Sequence, residues 1–399
     1  MKFFHSAGQR PAIRQPEFER EEVAELAAKV VALPERGREN AGPAIMSNSQ
    51  NLASARHSAA HGSLWRIFYL LAWVTTLLLA VVAALRIFYH DGNLILTSLN
   101  AFTRYVYLPA YPCVVWAAWQ RRWSLVLAGS VIVLCHVTWM APDFVRDRRF
   151  DLPAETAAKT TADSPSIRIF FANVLRMNRE FDALLEEISA ANPDVVVLAE
   201  WGWGWDKAFK NSPVMMPYVH GVSLTQPVFG MVNIFSKLPL KSELQNWVTN
   251  RLVRTADIQL GAQTLRLVAL HGPRPMSAPH YDYYGYWNQM IPLLATESGP
   301  LLVVGDFNAT EHSLVYRRLK SAGLRSAHDD RGRGYATTWP NETLLLPPIR
   351  IDQAFLSAQL ECERIVEGRG LGSDHKPLIV DVRIRAPVDK PQTAQSHRK

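Results

Sequence analysis

The apolar positions of this chain fall into two regimes. Between residues 64 and 140 they run almost without interruption, in stretches over 64–85, 94–119 and 123–140. Each approaches the ~20 residues a membrane-spanning helix requires, so the pattern predicts three transmembrane helices. The second stretch contains Arg104, Pro109 and Pro112 and the third is short, which leaves a re-entrant segment or a shifted boundary as the alternative for either. Beyond residue 166 the pattern changes to short apolar runs bounded by turn residues. Strands are predicted over 167–172, 195–199, 228–235, 254–260, 265–270, 301–304, 351–356, 362–366 and 378–384. Helical spacing marks 179–191, with Phe181, Leu184, Leu185 and Ile188 on one face, and also 282–295 and 313–322. This ordering predicts an α/β fold after the transmembrane helices: a two-layer β-sandwich flanked by helices, four layers in the order α/β/β/α.

The same reading divides the chain. Residues 1–62 form a polar lead expected to be disordered apart from a transient helix over 18–31, and translation starts at Met1 or at Met46. Residues 63–141 are a three-helix anchor, 142–166 an Ala-, Thr- and Pro-rich linker, 167–385 the catalytic domain and 386–399 a disordered tail. A cleaved signal peptide would carry one short apolar core near the N-terminus, whereas here three stretches follow a long lead, so the anchor reads as permanent. Arginines nearly balance on the two sides. The pair Arg121-Arg122 and the Arg-bearing lead tip the expectation toward an N-terminus inside, placing a catalytic domain beyond three crossings on the outer face of an inner or plasma membrane.

Composition changes this picture in two places. Three cysteines, two of them in the apolar stretches, imply no disulfide framework. The net charge of +7 is concentrated outside the predicted domain: residues 164–385 carry 23 Lys plus Arg against 22 Asp plus Glu. A nucleic-acid partner is possible but draws no support from the domain's charge, and no obligate protein partner is inferred.

Polar residues recur at the ends of the predicted strands: Asn173, Glu200, His271, Asp306 with Asn308, Asp352, and Asp374 with His375. If the strands share a direction, these groups converge at one rim. Carboxylates suit a hard divalent cation, a base can activate water, and an amide can hold a charged oxygen, so the set fits metal-assisted hydrolysis of a phosphate ester.

In this order Asn173, Glu200, Leu270-His271-Gly272-Pro273, Gly305-Asp306-Phe307-Asn308, Arg350-Ile351-Asp352-Gln353 and Ser373-Asp374-His375-Lys376-Pro377 resemble the endonuclease/exonuclease/phosphatase superfamily over a little more than half the chain. The resemblance implies a membrane-anchored phosphoesterase dependent on Mg²⁺ or Mn²⁺. Glu200 would be the main metal ligand, with Asn173 and Asp374 completing or supporting the shell. His375 would meet the scissile phosphate or the attacking water, oriented by Asp352, with Asp306 as the alternative base. Asn308 would hold a non-bridging phosphate oxygen, and His271 would contact phosphate or protonate the leaving oxygen. The nuclease branch gives such a histidine a carboxylate partner, and none is identifiable here. Some relatives carry an acidic residue where this chain has Leu175, so one metal is the simpler expectation.

Trp201, Trp203 and Trp205 alternate with glycines directly after Glu200, and a tyrosine cluster follows His271. Trp201 is a candidate for substrate contact, as are Asn173 and Arg254, while aromatic packing is the expectation for the tyrosines. The sequence leaves the substrate open among DNA, RNA, phospholipid and sugar phosphate. The rival reading is a catalytically inactive, membrane-tethered binding module that retains the fold.

Overall fold

The computed structural model describes residues 43–146, 164–222, 232–249, 251–276, 280–343 and 345–385. It divides into two compact units, Met1–Leu70 and Leu71–Lys399. The expected helix over 18–31, most of the linker and the tail lie outside the described residues. Residues 43–62, expected in a disordered lead, instead continue the first helix, α1 (Pro43–Tyr89).

Two helices are long and apolar enough to cross a membrane: the Leu64–Tyr89 part of α1, and α5 (Trp123–Phe144). The middle stretch does not form the expected third. It breaks into α2 (Leu94–Ala101), α3 (Thr103–Val106) and α4 (Ala110–Trp119). At 1.5 Å per residue, α2 is about 12 Å long against a hydrocarbon core of about 30 Å. The cause lies in its polar residues. Asn93 caps α2 through Leu96 N–H, and Asn100 donates to Asp91 at 2.6 Å while accepting from Arg86 at 2.9 Å. Arg104, 4% exposed, turns away from any lipid-facing position to pair with Glu311 at 2.6 Å.

Residues 166–384 build the sandwich. One sheet runs β11 (Leu360–Glu367), β12 (Leu378–Ile384), β1 (Ser166–Asn173), β2 (Val195–Ala199), β4 (Val232–Ser236), β3 (His220–Val222). The other runs β5 (Leu240–Val248), β6 (Arg251–Leu260), β7 (Gln263–His271), β8 (Leu301–Asp306), β10 (Asp352–Leu356), β9 (Arg325–Ser326). Both mix parallel and antiparallel pairs.

Alternation along β1 shows why two layers form. Ile167, Ile169 and Phe171 enter the core between the sheets with Val197, Leu267, Ala269 and Val304. Phe170 and Ala172 point the other way, under α6 (Phe181–Ala191) and α7 (Trp203–Lys210). On the second sheet Val268, Leu270 and Val303 pack under α8 (His280–Ala295) and α9 (Leu314–Ser321). Strands covered on both faces read as continuous apolar runs, which is why their outlines were visible in the sequence. Gly305 is dictated by close approach: a β-carbon there would stand 2.1 Å from the Leu270 carbonyl oxygen on the neighbouring strand.

Candidate active site

Strand direction decides where the polar ends meet. β1 and β2 are parallel, with Asn173 opposite Ala199, so Asn173 and Glu200 leave adjacent strands at one end. In the second sheet β7 and β8 are parallel and pair His271 with Asp306. The expectation of one shared direction is corrected by the other two strands. β10 is antiparallel and opens on Asp352 opposite Asp306, while β12 is antiparallel to β1, so the loop before it delivers Asp374 and His375. Residues at the start of an antiparallel strand reach the same rim as residues at the end of a parallel one.

Asn173 joins the two sheets at this rim. Its Nδ2 lies 3.3 Å from Glu200 Oε1, 3.1 Å from Asp306 Oδ2 and 3.4 Å from His375 Nε2. Its Oδ1 accepts the Leu175 N–H at 3.2 Å. The amide nitrogen thus lies against both carboxylates while its oxygen is held by the Leu175 N–H. Ser373 Oγ donates to the Asn173 carbonyl at 2.7 Å and accepts from His375 N–H at 3.1 Å, tying the last loop to the first strand.

His375 Nδ1 meets Asp352 Oδ2 at 2.8 Å, and its Nε2 faces Asp306 Oδ2 at 3.8 Å. The carboxylate selects the tautomer with Nδ1 protonated, since it can only accept. Burial disfavours the imidazolium, but Asp352 and then Asp306 outweigh it and hold the His375 pKa up at about 9. For Asp306, wholly buried, desolvation raises the carboxyl pKa, with His375 opposing and Asp352 adding to the rise. Burial first, then Arg251, His375 and Arg274, push His271 well below the usual histidine range, so its ring is neutral. His271 Nε2 lies 3.5 Å from Asp306 Oδ2 and 3.8 Å from Glu200 Oε1, and neither ring nitrogen makes a hydrogen bond among the described residues.

Two backbone positions are special. Glu200 (φ +58°) and Asn308 (φ +48°) occupy the left-handed region, which aims the first over the rim and folds the second back onto Asp306. The Asn308 N–H donates to Asp306 Oδ1 at 2.9 Å, and its amide nitrogen donates to the Gly272 carbonyl at 3.1 Å. Asn308, Asp374, His375 and Arg274 face a cleft of about 410 Å³. Asp374 sits on its wall, where Oδ2 accepts from Trp339 Nε1 at 3.1 Å.

The donor set fits a hard divalent cation. Glu200 and Asp306 share the Asn173 amide, and the unpartnered His271 nitrogens and Asp352 Oδ1 are buried beside them. Oxygen-rich sites of this kind suit Mg²⁺ or Mn²⁺. Asp306, Asp352 and His375 also present ligand atoms within 4.8 Å of one another, but Asp352 and His375 are already paired. Glu200 is likewise paired, with Arg274, and Asp374 lies on the cleft wall.

Two expected substrate contacts are core residues. Trp201 is 3% exposed and packs against Trp205, Phe209 and Phe235, its indole N–H given to Asp206 at 3.0 Å. Within α7, Trp205 and Phe209 are four apart and share one buried face, and Trp201, just ahead of the helix, packs onto it. Arg254 is 4% exposed, and its Nε donates to the Val232 carbonyl of the facing sheet at 3.0 Å. Two arginines beside the candidate site escaped the sequence reading. Arg274 reaches Glu200 Oε1 at 2.6 Å, and Arg251 donates to the His271 carbonyl at 3.4 Å. Arg274 follows His271-Gly272-Pro273 directly and carried a local signal, whereas Arg251 enters only through sheet pairing.

Comparison with known proteins bears on this geometry. A model of the Endonuclease/Exonuclease/phosphatase family matches residues 169–375, just over half of the chain. No curated protein matches it. Among solved structures, the chain is similar to a D. rerio TDP2 humanized by 14 mutations, at 16% identity over 54% of this chain and 98% of that one, with TM-score 0.45. The human Nocturnin catalytic domain with bound sulfate is 19% identical over 55% and 95%, with TM-score 0.44. An endonuclease/exonuclease/phosphatase from Bacteroides vulgatus is 16% identical over 55% and 99%, with TM-score 0.45.

Proposed function

The chain belongs to the Endonuclease/Exonuclease/phosphatase family, and from that premise we propose that it is a membrane-anchored hydrolase of phosphate esters that depends on Mg²⁺ or Mn²⁺. The observation that carries this reading is the single Asn173 amide within 3.4 Å of Glu200, Asp306 and His375, groups from both sheets. Asp306 is wholly buried, and a buried carboxylate is costly unless positive charge reaches it.

Each residue has a task in this reading. Glu200 and Asp306 would hold the cation, which when bound would withdraw charge from the phosphate and acidify water. Asp352 keeps His375 oriented and cationic, so its Nε2–H faces the phosphate anion. Asp306 Oδ2 accepts the proton of the attacking water. Water then adds to phosphorus and the ester P–O bond breaks, with no covalent enzyme intermediate. Neutral His271 donates to a non-bridging oxygen, and the second N–H of the Asn308 amide serves the same charge as it grows. Arg274 pairs with Glu200 and borders the cleft, where it can meet the phosphate.

Exposed apolar side chains on the two long helices, among them Leu78, Val81, Leu127 and Leu134, support the membrane anchor. Removing Glu200 as Glu200→Gln, or His375 as His375→Ala, is expected to lower divalent-dependent hydrolysis of bis-p-nitrophenyl phosphate by about 10²-fold or more. Chelator should abolish the wild-type rate. Full metal-dependent turnover by either variant would sink these roles.

A further inference from the structure

The cleft is built from two different materials. Its lining includes the polar residues Asn308, Asp374, His375 and Arg274. It also includes apolar side chains: Ala101 and Phe102 from the end of α2, with Met276, Leu346 and Ile349. Part of the lining thus comes from the segment that joins the two helices long enough to cross a membrane. A tether that only localised an enzyme would not need to line its cleft.

That segment is fixed to the domain by specific contacts. Asp91 Oδ2 accepts the Leu314 N–H at 2.6 Å, capping the start of α9, and Tyr284 Oη donates to the Asp91 carbonyl at 3.0 Å. Tyr105 Oη donates to the Pro348 carbonyl at 2.6 Å, and Arg104 pairs with buried Glu311. At the mouth, Met276 is 73% exposed and Leu346 45%, large apolar surfaces that gain by being covered.

Building on the phosphoesterase reading, we infer that residues 97–102 select the substrate, by receiving the apolar part of an amphiphilic phosphodiester while the catalytic rim holds its phosphate. The long chain lies along Ala101, Phe102, Met276 and Leu346, on the side of the cleft formed by the membrane-linked helix. Hydrolysis cleaves one P–O bond of such a diester. Water supplies the oxygen added to phosphorus, its proton passes to Asp306, and the departing oxygen takes up a proton from solvent.

The test uses the full chain in detergent micelles and has two readouts. A long-chain alkyl phosphate bearing a diazirine is photocrosslinked, and its adducts are mapped by mass spectrometry; they are expected on residues 97–102 and 274–276. In parallel, kcat/KM is measured for a long-chain alkyl p-nitrophenyl phosphodiester and for bis-p-nitrophenyl phosphate. Ala101→Trp, which fills the cleft, is expected to lower the ratio of the two by about tenfold or more. Leu346→Asp, at an exposed site that does not threaten folding, is expected to act the same way. Adducts elsewhere together with an unchanged ratio overturn the inference, as does a wild-type preference for an oligonucleotide over the alkyl diester. If neither diester is hydrolysed but adducts fall on 97–102, the hydrolase reading fails and the apolar subsite stands. If the soluble diester is hydrolysed and those adducts are absent, the subsite alone fails.

Discussion

At the scale of single residues, neighbours rather than burial distinguish side chains of the same type. His271, His328 and His375 are all buried, yet their neighbours assign them different charges. Asp352 and Asp306 keep His375 protonated, while burial, with Arg251 nearby, keeps His271 neutral. Trp201 illustrates the aromatic case, since it touches three rings of the core and no part of the cleft. Trp201→Ala is expected to cost about 3–5 kcal/mol of stability by leaving a cavity. In thermal unfolding and steady-state kinetics, this would appear as a lower melting temperature with KM for the soluble diester unchanged. A raised KM at unaltered stability would return Trp201 to the substrate surface.

At the scale of elements, a short helix shows how a buried histidine–carboxylate hydrogen bond couples stability to pH. α10 (Ala327–Arg331) packs on β11 and is held there by His328 Nε2, 3.0 Å from Glu367 Oε1. Burial lowers the His328 pKa to about 4, with Arg350 assisting and Glu367 opposing. For Glu367, desolvation would raise the carboxyl, but His328 and Arg333 overcome it and bring the pKa to about 2. Both folded-state values lie below the unfolded ones, so both contributions are present at neutral pH and disappear on acidification. The histidine term is whole above about pH 6.5 and is lost toward pH 4, on the order of 3 kcal/mol in that window. The glutamate term fades only below about pH 4.5. Unfolding of the detergent-solubilised chain should therefore shift to lower temperature between pH 6.5 and 4, with a shallower shift in His328→Gln. An equal slope in that variant would remove His328 from the account.

At the scale of the whole molecule, the break of the middle apolar stretch changes the expected topology. Three crossings would carry the domain to the face opposite the start of the first span. Two crossings, by the helices Leu64–Tyr89 and Trp123–Phe144 that are long and apolar enough for it, would return the chain to the side it left. Reporters fused ahead of residue 64 and after residue 385 are accordingly expected to read the same side of the membrane. Opposite readings would restore a third span and require α2 to leave the cleft. Arg104, Asp91 and Asn100 make that departure expensive, because each would lose a buried partner.

Much of this molecule was legible before any coordinates. Strands covered on both faces appear as apolar runs whatever their neighbours, and polar residues beside those runs disclosed Asn173, Glu200, His271, Asp306, Asp352 and His375. Hydropathy likewise marked the first and last long helices, since it depends on local composition alone. Other features belong to pairing between distant segments. Strand direction placed Asp352 and His375 at the rim from the starts of their strands. Long-range packing drew Trp201 and Arg254 into the interior, oriented the Asn173 amide toward the carboxylates, and brought Arg274 to Glu200. It also turned an apparent third span into a wall of the cleft, because Asn100 and Arg104 find buried partners there that a lipid bilayer would not supply.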